Sequence, residues 1–196
     1  DTFSEINIAP LSAIADDSSQ ITITVTLADD HWNFLANRPI ALLVSGSNNT
    51  VFPAVEAITD ASGHITFTLT SSKAEIKTLQ LHDVEDDVVL DIGQVAFTPG
   101  PLAPAQSSVE VDQTAVPADG ITSIAVTVTL RDAFDNPIPD LPATLSAPGI
   151  GIEIAQPVGV SDSNGQITGS VRGTHYAVAT LQATVDDIAL PQTQEI

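Results

Sequence analysis

The sequence predicts an all-β protein built from two tandem antiparallel β-sandwiches, and three observations support that prediction. A strand-like pattern that follows Ala15-Asp16 returns after Ala118-Asp119, 103 residues later (118 − 15). Apolar residues and threonines alternate within the pattern, as in a strand with one buried face. No long window has the apolar spacing of an amphipathic helix. Because the repeat is the size of a small β-domain, it predicts two independently folding modules.

The alternating strand is the clearest element of each module. Its aliphatic positions are Ile21, Ile23, Val25 and Leu27 in the first module, and Ile124, Val126, Val128 and Leu130 in the second. These side chains are expected to point into the core, while β-branched threonines favour extended backbone on the wet face. Further strands are predicted, in chain order, at 6–8, 40–45, 65–70, 79–84, 94–97, 109–111, 143–146, 166–171, 177–185 and 192–196. Many short strands favour a sandwich, with a closed barrel as the alternative.

Two short segments predict tight turns at corresponding places in the modules. Asp60-Ala61-Ser62-Gly63 returns as Asp162-Ser163-Asn164-Gly165. Glycine supplies the positive φ that such turns require. The aspartates are expected to accept backbone N–H hydrogen bonds within the turns.

A proline-rich stretch separates the two copies. Residues 98–106 contain three prolines, which disfavour strand pairing and make this connection a semi-rigid spacer. We therefore expect one domain over residues 1–100 and a second over residues 101–196. The chain starts without Met and stops at Ile196 within a predicted strand, which predicts a piece of a longer protein.

Composition limits the partners of the chain. It has 25 Asp and Glu against 5 Lys and Arg, a formal net charge of −20, so nucleic acid and anionic bilayers would be repelled. No run of 18 apolar residues is present, so we expect no membrane insertion by this segment. Charge repulsion favours a monomer at low salt. The chain has no Cys and thus neither a disulfide nor a thiol nucleophile.

The sequence predicts no enzymatic activity and no catalytic or cofactor-binding residues. A nucleophile needs a base within hydrogen-bond reach, yet the nucleophile elbow G-x-S-x-G is absent and the four histidines are scattered. No glycine loop suited to a phosphate and no zinc-ligand spacing is present. Adjacent carboxylates are uninformative in a chain this acidic.

Calcium is the metal that the composition makes worth considering. The densest acidic cluster lies in the hairpin expected between the last two strands of the first module: Asp83, Glu85, Asp86, Asp87 and Asp91. Hard oxygen ligands in loops suit calcium. The cluster lacks the D-x-[DN]-x-[DN]-G pattern, so the sequence favours a solvated acidic loop, with a specific calcium site as the alternative.

The most unusual local feature is the apolar run Trp32-Asn33-Phe34-Leu35. Comparing residues 29–45 with residues 132–146 indicates that this connection is two residues longer in the first module, and it aligns Trp32 with Phe134. On that alignment Trp32 is expected to cap the core. Phe34 and Leu35 then have no counterparts, so the loop Trp32, Phe34 and Leu35 becomes the candidate contact for a partner.

The ordered features of the second module resemble the bacterial immunoglobulin-like domains (group 1) of the intimin and invasin group. They are Ala118-Asp119-Gly120 before the alternating strand, the segment 132–138, the turn at Asp162 to Gly165 and the Ala/Thr/Val-rich segment 177–185. The first module matches more loosely, with Asp17 in place of the glycine.

The resemblance implies a fold and a function. It implies two immunoglobulin-like sandwiches on the bacterial cell surface, in the extracellular part of an outer-membrane adhesin. The expected role is a stalk that projects a binding domain, with a host receptor, matrix protein or glycan bound mainly by other domains. The alternative is that one of the two modules binds a receptor or glycan directly.

Overall fold

The computed structural model describes residues 3–54 and 56–196, which form β-structure without a helix. Within those ranges no helix is long and apolar enough to cross a bilayer. The chain divides into two compact units, which meet in sequence between Pro99 and Gly100. The predicted all-β class is confirmed.

The described residues of the first unit form nine strands: β1 Phe3–Ala9, β2 Ser12–Ile14, β3 Ile21–Leu27, β4 Pro39–Val44, β5 Asn49–Phe52, β6 Ala57–Ile58, β7 His64–Ser71, β8 Ile76–Asp83 and β9 Val88–Thr98. One sheet has the order β1-β3-β7-β5 and the other the order β2-β9-β8-β4-β6. The pairings among these nine strands are antiparallel except that of β2 with β9, which is parallel.

The second unit contains seven strands: β10 Ser108–Val111, β11 Ser123–Thr129, β12 Thr144–Ser146, β13 Ile152–Ala155, β14 Gln166–Gly173, β15 Thr180–Val185 and β16 Ile188–Glu195. Its sheets have the orders β10-β11-β14-β13 and β12-β15-β16. The first of these repeats the sheet β1-β3-β7-β5 strand for strand. The second sheet, over the described residues, contains no counterpart of β2 or β6.

Each unit has its own aliphatic core, which the alternating strand anchors. Ile21, Ile23, Val25 and Leu27 of β3 are fully buried, as are Val126 and Val128 of β11. The core of the first unit forms one cluster with Phe67 and Phe97, and the core of the second forms another. The predicted inward faces of both strands are therefore confirmed.

Short edge strands are the elements that the alternation does not reveal. β2, β5, β6 and β13 have two to four residues each. A segment that short shows no complete alternation, and its extended backbone is set by the strand beside it. β5, for example, pairs with β7 over Asn49 to Phe52.

The two turns that repeat in sequence hold the same hydrogen bonds. The N–H of Leu27 donates to Gly63 O at 2.8 Å, and that of Leu130 donates to Gly165 O at 2.8 Å. Both glycines have positive φ, and a Cβ on them would lie 2.3 Å and 2.4 Å from the carbonyl oxygens of Leu27 and Leu130. Only glycine fits there.

The aspartates of these turns behave as predicted. The Asp60 carboxylate accepts the backbone N–H of Ser62 at 2.8 Å and of His64 at 3.0 Å. Asp162 accepts those of Asn164 and Gln166 at 2.8 Å and 3.0 Å. The backbone bonds from His64 and Gln166 are the main reason that the pKa of each carboxyl is lowered from its usual value. Both aspartates are turn residues.

Separate cores predict separate responses to core mutations. Ile23→Ala should lower the unfolding free energy of the first unit by about 2–4 kcal/mol, because it leaves a cavity among packed aliphatic side chains. Val126→Ala should act in the same way on the second unit. Differential scanning calorimetry with each unit followed separately checks this. Thr24→Ala, on the outer face of β3, serves as the control and should cost less than about 1 kcal/mol. Equal effects of the inner and outer substitutions would contradict the assigned faces.

Candidate functional site

The loop after β3 is organised by one aspartate. Asp29 accepts the backbone N–H groups of His31 at 2.9 Å and Asn33 at 2.8 Å, and its second oxygen accepts the side-chain amide of Asn33 at 2.8 Å. The backbone N–H of Asp29 returns a bond to Asn33 O at 3.0 Å. These bonds close a tight loop over residues 29–33. They also lower the pKa of Asp29, with the side-chain amide of Asn33 the largest cause.

The same loop recurs after β11 and corrects the alignment made from the sequence. Asp132 accepts the backbone N–H and the side-chain amide of Asn136, each at 2.9 Å. The loops have equal length, so the expected two-residue insertion is wrong. The matching position of Trp32 is Asp135, and both have positive φ, at 64° and 65°.

The corrected alignment also changes which residues of the second unit correspond to the other residues of the first loop. His31 corresponds to Phe134, at the same offset of 103 (134 − 31). Phe34 corresponds to Pro137, because the isolated bridge of Ala28 with Phe34 matches the bridge of Arg131 with Pro137. Leu35 likewise has a counterpart, contrary to the expectation: its N–H bonds to Leu27 O as that of Ile138 bonds to Leu130 O.

Trp32 lies on the surface instead of capping the core. It is 75% exposed and Phe34 is 57% exposed. Phe34 contacts the ring of His64, with centroids 6.4 Å apart. Leu35 is half-buried and packs against the core of the first unit. The loop therefore exposes Trp32 and Phe34 to solvent, whereas Leu35 packs against the core.

The loop after β11 has one further contact. The N–H of Gly100 donates to Asp132 Oδ2 at 2.8 Å, and Asp132 is buried. Burial raises the pKa of this carboxyl, but hydrogen bonds from Asn136 and Gly100 outweigh it, so the pKa is lowered. The first residue of the second unit is thus tied to the loop after β11.

A group of potential metal ligands that the sequence did not single out lies in the first loop. Asp29, Asp30 and His31 each place one ligand atom within 4.8 Å of the others. The Asp29 oxygens already accept bonds from the loop, and His31 Nδ1 lies 2.6 Å from Asp30 Oδ1. Adjacent aspartates such as Asp29-Asp30 do not indicate a metal site by sequence alone, because acidic residues are abundant in this chain. Hydrogen bonds and the contact of His31 with Asp30 within the loop account for the closeness of these three side chains.

Three carboxylates of the acidic cluster considered for calcium surround an arginine. Arg38 Nη2 lies 2.7 Å from Asp83 Oδ2 and also bonds to Asp86, and Nη1 lies 3.3 Å from Glu85. The Asp83 side chain is fully buried and that of Arg38 is 16% exposed. The hydrogen bond to Asp83 is the largest cause of a raised pKa of the Arg38 guanidinium, against the effect of burial.

This arrangement favours an ion-pair cluster over a calcium site. The Arg38 guanidinium lies between Asp83, Glu85 and Asp86, where the calcium hypothesis would place a metal ion. Asp87 lies 3.0 Å from His82 Nε2, and Asp91 lies in β9 opposite Gln80. The five carboxylates are thus divided among different neighbours, and we propose no metal there.

Comparisons with known proteins agree on both units. The model of the bacterial Ig-like domain (group 1) family matches residues 3–97 and again residues 106–196. The inverse autotransporter adhesin YeeJ of Escherichia coli (strain K12) is 25% identical over 175 residues, which cover 86% of this chain and 7% of that protein. The chain therefore spans a small part of its curated relative.

Solved structures share the fold. InvD of Yersinia pseudotuberculosis has a TM-score of 0.69 at 22% identity, covering 97% of this chain and 55% of that one. Invasin, a bacterial integrin-binding protein, has a TM-score of 0.56 at 18% identity, covering 98% of this chain and 38% of that one. The expected immunoglobulin-like sandwich fold is confirmed.

The second unit offers a test of the Arg38 cluster, because it places apolar residues at the same positions. Leu141 occupies the position equivalent to Arg38, and Val185 occupies the position equivalent to Asp83. Leu141 and Val185 both pack with the core of the second unit. Arg38→Leu alone should lower the unfolding free energy of the first unit by about 3–5 kcal/mol, since it leaves Asp83 buried without its partner. Arg38→Leu with Asp83→Val should restore or exceed the original stability.

Urea unfolding of the first unit, with the second as an internal reference, measures both variants. A single variant as stable as the parent would show that Asp83 does not depend on Arg38.

Proposed function

Because this chain belongs to the bacterial Ig-like domain (group 1) family, we propose that it is a stalk segment of an outer-membrane adhesin, exposed outside the bacterial cell. Its work is to hold a binding domain away from the surface. Host receptors, matrix proteins or glycans are then bound mainly by other domains of the full protein. The family and fold are those of adhesin domains and not of enzymes.

The observation that supports this proposal most directly is the parallel pairing of β2 with β9. Ser12, Ala13 and Ile14 pair with Ala96, Phe97 and Thr98 in the same direction. The chain therefore enters the first unit and leaves it travelling the same way, so a unit advances the chain along its strand axis. β9 has 11 residues, a rise of roughly 35 Å. A string of such units gains length with each copy.

The same pairing gives the unit resistance along that axis. The N–H of Ala96 bonds to Leu11 O at 3.0 Å, and that of Ala15 bonds to Thr98 O at 2.8 Å. Tension between the two ends of the unit would apply a shear force to β2 and β9. These backbone hydrogen bonds would then have to break at the same time. We call this pairing, residues 11–15 with 96–98, the parallel clamp.

Surface charge supports the same role. A formal net charge of −20 keeps the chain dispersed and disfavours self-association. Closed aliphatic cores also let each copy fold without its neighbours. These properties suit a repeated spacer.

A swap experiment in the full-length protein tests the spacer role. Deleting residues 1–196 should lower attachment of bacteria to host cells by shortening the reach of the tip. Replacing them with two unrelated immunoglobulin-like sandwiches of the same length should restore attachment. Surface expression is matched with an antibody to the tip. A well-expressed replacement that fails to restore attachment would show that these two units recognise something themselves.

A second candidate function, direct binding by the first unit, is favoured by Trp32. Bulky side chains seldom adopt a positive φ, and such strained positions gather at functional sites. The second unit places Asp135, a residue that tolerates this conformation, at the same position. A large aromatic kept at a strained and 75% exposed position is better explained by contact with a partner than by packing.

Binding of the labelled chain to epithelial cells and matrix proteins tests this candidate. Trp32→Asn with Phe34→Ala should abolish saturable binding while the first unit remains as stable as before or gains up to about 1 kcal/mol from relief of strain. Phe52→Ala is the matched control, because Phe52 is 73% exposed on β5, outside the loop. Equal binding by the parent and the loop variant would remove Trp32 and Phe34 as contacts.

A further inference from the structure

The end of the first unit that carries Trp32 is strongly acidic. Three loops meet there, because β3 ends beside the start of its neighbour β7, and β4 begins beside the end of its neighbour β8. These loops span residues 28–38, 59–63 and 84–87. Together with the last residue of β8 they contain the following acids: Asp29, Asp30, Asp60, Asp83, Glu85, Asp86 and Asp87. In the sequence of these loops, Arg38 is the one Lys or Arg residue.

The basic residues of the first unit do not neutralise the loop after β3. Arg38 is engaged in the ion pairs of the acidic cluster. Lys77 is fully buried in an ion pair of its own. Lys73 follows the opposite end of β7. Over the described residues, Asp30 forms an ion-pair contact only with His31, at 2.6 Å, and its side chain is 76% exposed.

The second unit places an arginine on the equivalent loop. Arg131 Nε lies 3.4 Å from Asp135 Oδ1, and Arg131 Nη1 donates to Asp135 O at 3.0 Å. The first unit has Ala28 at the position of Arg131 and Trp32 at that of Asp135. A guanidinium therefore fits a loop of this geometry, and the first loop does not supply its own.

The first loop instead has groups that attract a guanidinium from outside. Asp30 replaces Ala133 at the offset of 103 and adds a carboxylate two residues before Trp32. The planar guanidinium of arginine stacks on aromatic rings and also forms charge-assisted hydrogen bonds with carboxylates. Trp32 and Phe34 are exposed. An arginine side chain thus matches both the charge and the aromatic surface of this loop.

A glycan matches the loop less well. Sugar hydroxyls need hydrogen-bond donors as well as acceptors beside an aromatic ring. The side-chain amide of Asn33 already donates to Asp29 at 2.8 Å, and the carboxylate of Asp30 can only accept. An anionic glycan would also be repelled by the acids at this end of the unit.

We propose that the loop of residues 28–34 is a docking surface for an arginine side chain of a protein partner. The guanidinium lies against the indole of Trp32 and pairs with the carboxylate of Asp30. The aliphatic part of the arginine side chain extends over Phe34. This inference rests on the direct-binding candidate above and gives its partner a chemical class, a basic protein segment.

The fluorescence of Trp32 reports on this surface directly, because it is the single Trp of the chain. A short peptide that alternates arginine with glycine should cause a saturable change in Trp fluorescence. Raising the salt from low to physiological ionic strength should weaken that complex by at least about threefold. A peptide that alternates glutamate with glycine should cause no change. A saturable response to a neutral oligosaccharide, without one to the arginine peptide, would overturn the proposed partner.

Two substitutions separate docking at the loop from attraction to an acidic chain. Asp30→Asn should weaken the arginine-peptide complex by about fivefold or more, because it removes the carboxylate that pairs with the guanidinium. Asp91→Asn removes the same charge from β9, outside the loop, and should change the affinity by less than about twofold. Both side chains are exposed, so thermal melts of the two variants should match the parent. Equal effects of the two substitutions, whether large or small, would overturn the docking surface.

Cell binding distinguishes failure of this inference from failure of the direct-binding candidate. If cells bind the parent chain, and binding is lost with Trp32→Asn and Phe34→Ala but kept with Asp30→Asn, direct binding stands and the arginine partner is overturned. If the arginine peptide binds through Asp30 while neither cells nor matrix proteins are bound, the docking chemistry stands and direct attachment by the first unit fails.

Discussion

Each unit depends on the burial of one aliphatic face of its central strand. The face formed by Ile21, Ile23, Val25 and Leu27 lies between two sheets, and burial of each such side chain contributes about 1.5–3 kcal/mol. The position of this strand is set by backbone bonds at its end, where Gly63 approaches Leu27 so closely that no side chain fits. Without a disulfide, the aliphatic face and the glycine turn must together specify the sandwich.

The two copies act as controls for each other. Where they agree, as in the Gly63 and Gly165 turns or the Asp29 and Asp132 loops, the shared feature belongs to the fold. Where they differ, the difference points to a local role. Trp32 at a position held by Asp135 is such a difference.

Polar clusters in this acidic chain are mainly structural. Arg38 forms ion pairs with Asp83, Glu85 and Asp86 within one unit. The other unit has Leu141 and Val185 at the positions equivalent to Arg38 and Asp83. A buried ion pair and an apolar pair can serve the same position, because the Coulomb attraction of the pair is offset by the loss of its hydration. Charge density alone is therefore a poor guide to binding sites in a chain of this composition.

The sequence by itself determined the features that depend on neighbours along the chain: the period of the repeat, the inward faces of β3 and β11, the turn aspartates Asp60 and Asp162, and the family. The loop candidates required the tertiary structure. It decided the equivalence of Trp32 with Asp135, the exposure of Trp32, and the pairing of Arg38 with Asp83, which lies 45 residues away in sequence. Alternation and turn chemistry act through adjacent residues, whereas burial and ion pairing depend on side chains that only the folded chain brings together.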